Sequence, residues 1–347
     1  MEKQLKALTA TRGFAALLVV IFHFGTDIKP FSYFEQFFTG GNIAVSYFYV
    51  LSGFVMYWTY RDRNISFGDY IKRRIARIVP VYWFAILLCM LAVVYFDLRY
   101  HNPPIDAEVI KSLLLNLFFI QGYFPKYNLS INPPGWSLSV EMFFYILFPV
   151  LLTVARRNMR FFIAAGVIFF LLSQMVHMLM IKHLSLADPE AHNLIFYHPL
   201  FHLNEFILGM MGGYYFTICE VKKVRLSSLV AFVVIVLLIN FLPRTISTHN
   251  GLLAPFFLVF IIAIALNEPY VLTVKPLLFF GEISYGIYIL QFPVHYYITL
   301  WNGWYWKLSA TKEFYLMLTT LFILATVSFY LIEKPLRNKI NSIQIRK

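Results

Sequence analysis

Only two cysteines, Cys89 and Cys219, occur in 347 residues, and both lie in or beside apolar runs. That excludes a disulfide framework and leaves two packing residues. Charge is scarce as well. Asp, Glu, Lys and Arg make up 13% of the chain, about half the share of an ordinary soluble domain. Acidic groups are the scarcer sign, 17 against 29 Lys and Arg. No internal repeat, coiled-coil heptad or low-complexity tract is present, which excludes solenoid and fibrous classes. The first apolar run lacks a small-residue cleavage site and contains Arg12 and His23, so it is expected to stay as a first helix, not leave as a signal peptide.

What is present is apolar: 60% of residues are hydrophobic, in recurring runs of about twenty. The expected fold class is an all-α polytopic membrane protein, a bundle of about ten transmembrane helices forming one domain over 1–347. The spans fall near 7–27, 41–60, 76–97, 136–155, 160–182, 195–218, 227–243, 252–267, 277–300 and 312–333. The 37 Phe and 23 Tyr exceed what interfacial belts need, so some line the interior. A net charge of +12 invites a nucleic-acid reading, which placement rejects. Twenty Lys and Arg fall in one set of loops, eight in the other, with Arg12 at a helix edge. This positive-inside alternation puts both termini in the cytoplasm. The long outer loop 98–135 is bracketed by Pro103-Pro104 and Pro133-Pro134. Its apolar stretch Val109–Ile120 is too short to span, so a re-entrant or interfacial helix is expected.

Arg12 and His23 are eleven positions apart. At about 100° per residue they return to within about 20° of each other, about 16 Å apart along the axis. Ionisable groups inside a membrane cost several kcal/mol unless they work or are paired, so the two mark a functional site. The cytoplasmic end suits an anion. The deeper imidazole suits a general base that takes a hydroxyl proton and returns it to a leaving group. A histidine merely hydrogen-bonded in the bundle is the plainer alternative, which Arg12 on the same face disfavours.

Four further groups stand out. Arg73, Arg74 and Arg77 lie one turn apart at the inner end of the third span, where guanidinium forks match phosphate; basic helix ends are also the ordinary topology signal. Asn132-Pro-Pro-Gly-Trp136-Ser-Leu-Ser139-Val-Glu141 breaks the chain before the fourth span. Ser137 can cap that helix and Trp136 can sit in the outer belt, but Glu141, one turn into the span, needs a partner. His198, His202 and Glu205 share a helical face that resembles a metal edge, yet no fourth ligand is visible, so no metal is expected. Asn204 and Glu205 suit a polar substrate, and Gly209, Gly212 and Gly213 suit close helix packing. Ser284, Tyr288 and Gln291 form a polar stripe, read as helix-to-helix hydrogen bonding for Ser284 and left open for Gln291.

Taken together, these segments resemble the acyltransferase-3 family of integral-membrane acyltransferases, which includes bacterial enzymes that O-acetylate surface polysaccharides. The matching pieces occur in family order: Arg12 with His23, Val50-Leu-Ser-Gly-Phe54, Arg73-Arg-Ile-Ala-Arg77-Ile-Val-Pro80, Trp136-Ser-Leu-Ser-Val-Glu141, Glu205-Phe-Ile-Leu-Gly209 and Ile283-Ser-Tyr-Gly-Ile-Tyr288. The resemblance implies a ten-helix bundle that passes an acyl group from cytoplasmic acyl-CoA to an acceptor hydroxyl, with Arg12 and His23 essential. Relatives often have His before the proline of the ninth helix. This chain has Gln291, so a titrating imidazole has no counterpart there. The chain is also expected to act without the soluble hydrolase-like domain that some relatives append.

The expected mechanism docks the phosphates of CoA, most simply acetyl-CoA, on Arg12, Arg73, Arg74 and Arg77. His23 then deprotonates a glycan or lipid-linked glycan hydroxyl, held among Trp136, Ser139, Glu141, Asn204, Glu205, Tyr288 and Gln291. Glu141 is a candidate to orient the imidazole, and transient acylation of His23 stays open. No permanently bound cofactor, metal or nucleic-acid partner is expected. The rival reading is a proton-coupled transporter or flippase using His23, Glu141 and Glu205 as a relay; the missing inverted repeat argues against it.

Overall fold

The computed structural model describes residues 5–64, 66–100, 106–221, 227–242 and 247–343. Lys3, Pro103-Pro104, the basic cluster Lys222–Arg225 and the Arg346-Lys347 end of the tail lie outside them. Among the described residues there is no β-strand. In chain order the helices are α1 (Lys6–Phe24), α2 (Glu35–Thr39), α3 (Ile43–Tyr60), α4 (Phe67–Tyr100), α5 (Ala107–Leu117), α6 (Trp136–Arg157), α7 (Met159–His183) and α8 (Pro189–Tyr197). They continue with α9 (Leu203–Val221), α10 (Ser228–Phe241), α11 (Ala254–Asn267), α12 (Tyr270–Thr273), α13 (Lys275–Glu282), α14 (Ser284–Trp301), α15 (Ala310–Ser328) and α16 (Lys334–Ser342).

Among the described residues, five segments are long and apolar enough to cross a bilayer: α1, Phe67–Val94 of α4, Pro133–Arg157, α7, and Ala310–Ser342. The α13–α14 pair makes a sixth when counted as one span bent by 54°. That bend replaces the single straight ninth span expected from sequence. At the break Ser284 donates its hydroxyl to the Gly281 carbonyl at 2.7 Å. On α7, Phe161, Ile168, Leu171, Leu172 and Met175 are exposed, a continuous apolar surface that only lipid covers without cost. The chain is an all-helical polytopic membrane protein.

Two compact units divide the chain. The first comprises residues 1–64, 147–196 and 200–284. At its centre α3 packs on α9. Fourteen of the eighteen α3 residues are buried, and α9 is buried along its first eleven positions. The contact is backbone against backbone. A Cβ on Gly53 would lie 2.1 Å from the Phe206 carbonyl oxygen, and one on Gly209 would lie 2.1 Å from that of Val50. Both glycines sit in segments the sequence singled out, and the close packing expected of Gly209 is what the structure shows. Helix α1 is pinned in the same manner, since a Cβ on Gly281 of α13 would fall 1.9 Å from the Thr9 oxygen. Thr11 Oγ1 meets the Tyr47 hydroxyl at 2.5 Å, and the Ala7 N–H donates to Glu268 Oε2.

The second unit comprises residues 65–146, 197–199 and 285–347. Here α14 is tied to α4 by tyrosines. Tyr285 donates to the Ile78 carbonyl at 2.7 Å and Tyr297 to that of Leu88 at 2.9 Å. Helix α5 realises the short helix expected in the 98–135 loop. Asp106 caps it by accepting from the Val109 N–H at 2.9 Å, and its eleven residues reach about 16 Å, half a hydrocarbon core. It docks through Trp83 Nε1, which donates to Leu117, and through Tyr82, which donates to Asn116 Oδ1 at 2.9 Å.

The glycine contacts give a direct test. Gly209→Val forces α3 and α9 apart, and we expect a loss of about 3 kcal/mol or more, read as loss of monodisperse protein on size exclusion. Gly303→Ala, with nothing within 4 Å of the added atom, should leave melting unchanged. A folded Gly209→Val protein with wild-type melting contradicts the packing account.

Candidate functional site

Helix α1 runs unbroken from Lys6 to Phe24, so Arg12 and His23 do ride one helix with the angular relation their spacing demands. Arg12 is half-buried, at the level where Thr11 joins Tyr47. His23 is exposed in the last turn, its ring flanked by Phe22 and Phe24 with centroids at 5.1 and 5.7 Å. Arg12 is thus half-buried and His23 exposed, where the sequence reading expected the imidazole deeper in the bundle. Both belong to the first unit, as do Asn204 and Glu205.

The second unit holds Arg73, Arg74, Arg77, Trp136, Ser139, Glu141, Tyr288 and Gln291. Its centre is Glu141. The Tyr145 hydroxyl, one turn on, donates to Glu141 Oε1 at 2.6 Å, and the carboxylate acts electrostatically on Tyr285 and Tyr288 as well. Arg74 lies over the Tyr145 ring at 5.6 Å and the Tyr70 ring at 5.9 Å, a cation–π arrangement that places positive charge beside the phenol. Tyr70 fixes the group by donating to the Tyr145 carbonyl at 3.0 Å. The carboxylate thus finds its partner in a phenol backed by a guanidinium. The arginine trio divides: Arg74 and Arg77 are half-buried, and Arg73 is exposed.

Around Asn132–Ser139 the structure is tightly bonded. Ser137 does not cap α6. It donates to the Pro134 carbonyl at 2.8 Å and accepts from the Tyr288 hydroxyl at 2.9 Å, because Pro133–Gly135 form a 3-10 turn that leads α6 in. Trp136 is buried against Tyr197 at 4.8 Å, so it is no belt residue. Ser139 is buried and accepts from the Gly122 N–H at 3.2 Å. Gln291 is buried and donates to the Tyr288 carbonyl at 2.7 Å. Sequence reading missed Tyr145, although its i+4 spacing from Glu141 was the available signal. It also missed Gln121, which donates to Tyr82 Oη at 2.9 Å and to the Gly135 carbonyl at 2.7 Å and carries no local pattern.

In the first unit His202 and Glu205 form a fully buried pair, Nδ1 to Oε2 at 2.8 Å. His198 lies in the other unit, and Pro199–His202 form a 3-10 turn, so the three do not make one helical edge. Among the described residues, no group of three or more His, Cys, Asp or Glu could hold a metal ion.

The comparisons with known proteins follow this geometry. The family described as "Acyltransferase domain" matches residues 5–333. The chain belongs to the acyltransferase-3 family. Its relatives include the O-acetyltransferase OatA of Staphylococcus aureus, 23% identical over 97% of this chain and 58% of that protein. The putative peptidoglycan O-acetyltransferase YrhL of Bacillus subtilis is 27% identical over 97% of this chain and 56% of its own. The acyltransferase MdmB of Streptomyces mycarofaciens is 34% identical over 44% of this chain and 41% of its own. This acyltransferase-3 chain therefore spans less than three fifths of OatA and YrhL. No solved structure matches it.

Two substitutions separate the roles of Tyr145. Tyr145→Phe keeps the ring under Arg74 and deletes the hydroxyl on Glu141, with an expected stability loss of about 1 kcal/mol. Tyr145→Ala removes the guanidinium's platform and a buried ring, with an expected loss of about 3–5 kcal/mol. Equal melting of the two variants contradicts the assignment.

Proposed function

We propose that this chain transfers an acyl group, acetyl in the simplest case, from cytoplasmic acyl-CoA to a hydroxyl of a cell-surface glycan. The observation that carries the reading is Arg12 and His23 on one uninterrupted helix within a family match over residues 5–333. The names of OatA and YrhL, both O-acetyltransferases, the latter putatively of peptidoglycan, support the glycan acceptor. The proposal includes ten spans from the apolar runs, both termini in the cytoplasm from the positive-inside alternation, and residence in a bacterial inner membrane from the bacterial relatives.

In this reading Arg12 in the first unit and Arg73, Arg74 and Arg77 in the second are the candidates to meet the phosphates of CoA. Guanidinium forks donate to such oxygens two at a time, and low dielectric strengthens the grip. His23 takes the proton of the acceptor hydroxyl, the oxygen attacks the thioester carbonyl, and the tetrahedral adduct expels the CoA sulfur. The imidazolium returns its proton to that thiolate, so the ester and free thiol leave with no net proton change. Glu141, held by Tyr145, supplies the fixed negative charge that offsets nearby cations. Trp136, Ser139, Asn204, Glu205, Tyr288 and Gln291 shape the acceptor's surroundings.

Binding and turnover should separate. We expect His23→Ala to lower acetyl-CoA-dependent transfer at least about a hundredfold with donor affinity unchanged. Arg12→Ala should weaken donor binding, an effect that high salt reproduces only partly because the site is shielded. Isothermal titration with CoA beside a thiol-release assay measures both. Full activity in His23→Ala contradicts the general-base assignment.

A further inference from the structure

One helix of the second unit has no part in that mechanism. Ala310–Ser342 forms a rod of 33 residues, about 50 Å long, against a hydrocarbon core of about 30 Å. Its first turn carries the charges of Lys312 and Glu313. Counted from Phe314, the core ends about level with Lys334, and Lys339 stands about 8 Å beyond it, in the headgroup layer. The last part of the rod, α16, therefore emerges among lipid headgroups.

Helix α16 holds Lys334, Arg337 and Lys339 and contains no Asp or Glu. Its cations are not equivalent. Buried Glu333, just before the helix, accepts from Arg337 Nη1 at 3.3 Å. Lys72 of α4 donates to Asp69 Oδ1 at 3.0 Å and to the Ile343 carbonyl, just past the end of α16, at 2.6 Å. These bonds tie α16 to α4, on which it packs, and engage both acids at the junction. Lys334 and Lys339 are exposed, so their charge faces outward. Leu336 and Ile340, one turn apart, form an apolar edge, the first exposed and the second half-buried.

Positive charge beside an apolar edge at headgroup depth selects its neighbour. Water covers lysine ammonium groups but not Leu336, and acyl chains cover Leu336 but not the ammonium groups. An anionic headgroup layer meets both, with the lysine stems lying along apolar surface. We propose that α16 is a contact for anionic lipid, in which Lys334 and Lys339 hold headgroup phosphates and Leu336 rests on the upper acyl chains. The topology proposed above turns this end toward the cytoplasmic leaflet, where anionic lipid concentrates. Because α16 packs on α4, the contact also braces the helix that carries Arg74 and Arg77. The inference goes beyond acyl transfer and needs no acyl donor.

The test replaces Leu336 with the photoreactive benzoylphenylalanine in the purified chain. The protein is irradiated in mixed phosphatidylcholine and phosphatidylglycerol nanodiscs, without acetyl-CoA, and its lipid adducts are read by mass spectrometry. Phosphatidylglycerol adducts should exceed that lipid's share of the bilayer at least about fivefold. Adding Lys334→Gln and Lys339→Gln together should return the adducts to the bilayer's proportion. Lys182→Gln, an exposed lysine at the end of α7, should change nothing. Raising salt from about 50 to about 500 mM should shrink the enrichment severalfold, since exposed charges are screened. Adducts in the bilayer's own proportion, enrichment that persists without the two lysines, or adducts to a copurified protein overturn the inference. So does loss of the adducts to inorganic phosphate at constant ionic strength, which would make this a site for the free anion. The salt series keeps both lysines, so the inference stays falsifiable if the double variant does not fold. With no donor present, failure of acyl transfer leaves this result untouched, and failure here leaves the transfer reading standing.

Discussion

Close backbone contact is the constraint on which the first unit depends. Pressing one apolar helix on another gains nothing hydrophobically when lipid tails are the alternative neighbour, so association in a bilayer relies on dispersion and on hydrogen bonds at short range. Gly53 against the Phe206 carbonyl, Gly209 against that of Val50, and Gly281 against that of Thr9 supply this contact. Each leaves no space for a methyl group. Through Gly281 and the Thr11–Tyr47 hydrogen bond, the same packing fixes α1 and so the direction in which Arg12 and His23 are presented.

With the helices locked, the remaining physical problem is polar. Every carboxylate, hydroxyl and ring nitrogen away from water must be met, and each unit solves this with its own network. In the second, a phenol bonded to a carboxylate lies under a guanidinium, so Glu141 and Arg74 share Tyr145. In the first, His202 and Glu205 neutralise each other; breaking such a buried pair costs about 3–5 kcal/mol. These bonds are made before any substrate arrives, as the Tyr145–Glu141 and His202–Glu205 contacts show.

Much of this was legible in the sequence, and the reasons are specific. Apolar runs report helices because lipid exposure tolerates little else, so the all-helical class and the short α5 follow from composition and length. The relation of Arg12 to His23 follows from helical periodicity alone, which needs only that α1 be continuous. What failed to show were features set by distant residues. Ser137 looks like a cap, yet a 3-10 turn feeds α6 directly and Tyr288 claims the hydroxyl. Trp136 looks like a belt residue, yet Tyr197 covers it. The ninth span reads as one run over 277–300 because Ile283 and Ser284 are compatible with helix, yet the structure breaks it there by 54°. His198, His202 and Glu205 have metal-like spacing, but the 3-10 turn at Pro199–His202 ends the periodicity that spacing assumes.

The account stands on covalent chemistry with CoA as the leaving group, and one measurement reaches it directly. Purified protein, reconstituted with acetyl-CoA labelled in the acetyl carbonyl and an N-acetylglucosamine oligomer, should release free thiol in step with label appearing as an ester on the sugar. Oligomer movement across a sealed vesicle driven by a proton gradient, with neither thiol released nor label transferred, would show a transporter and contradict the account.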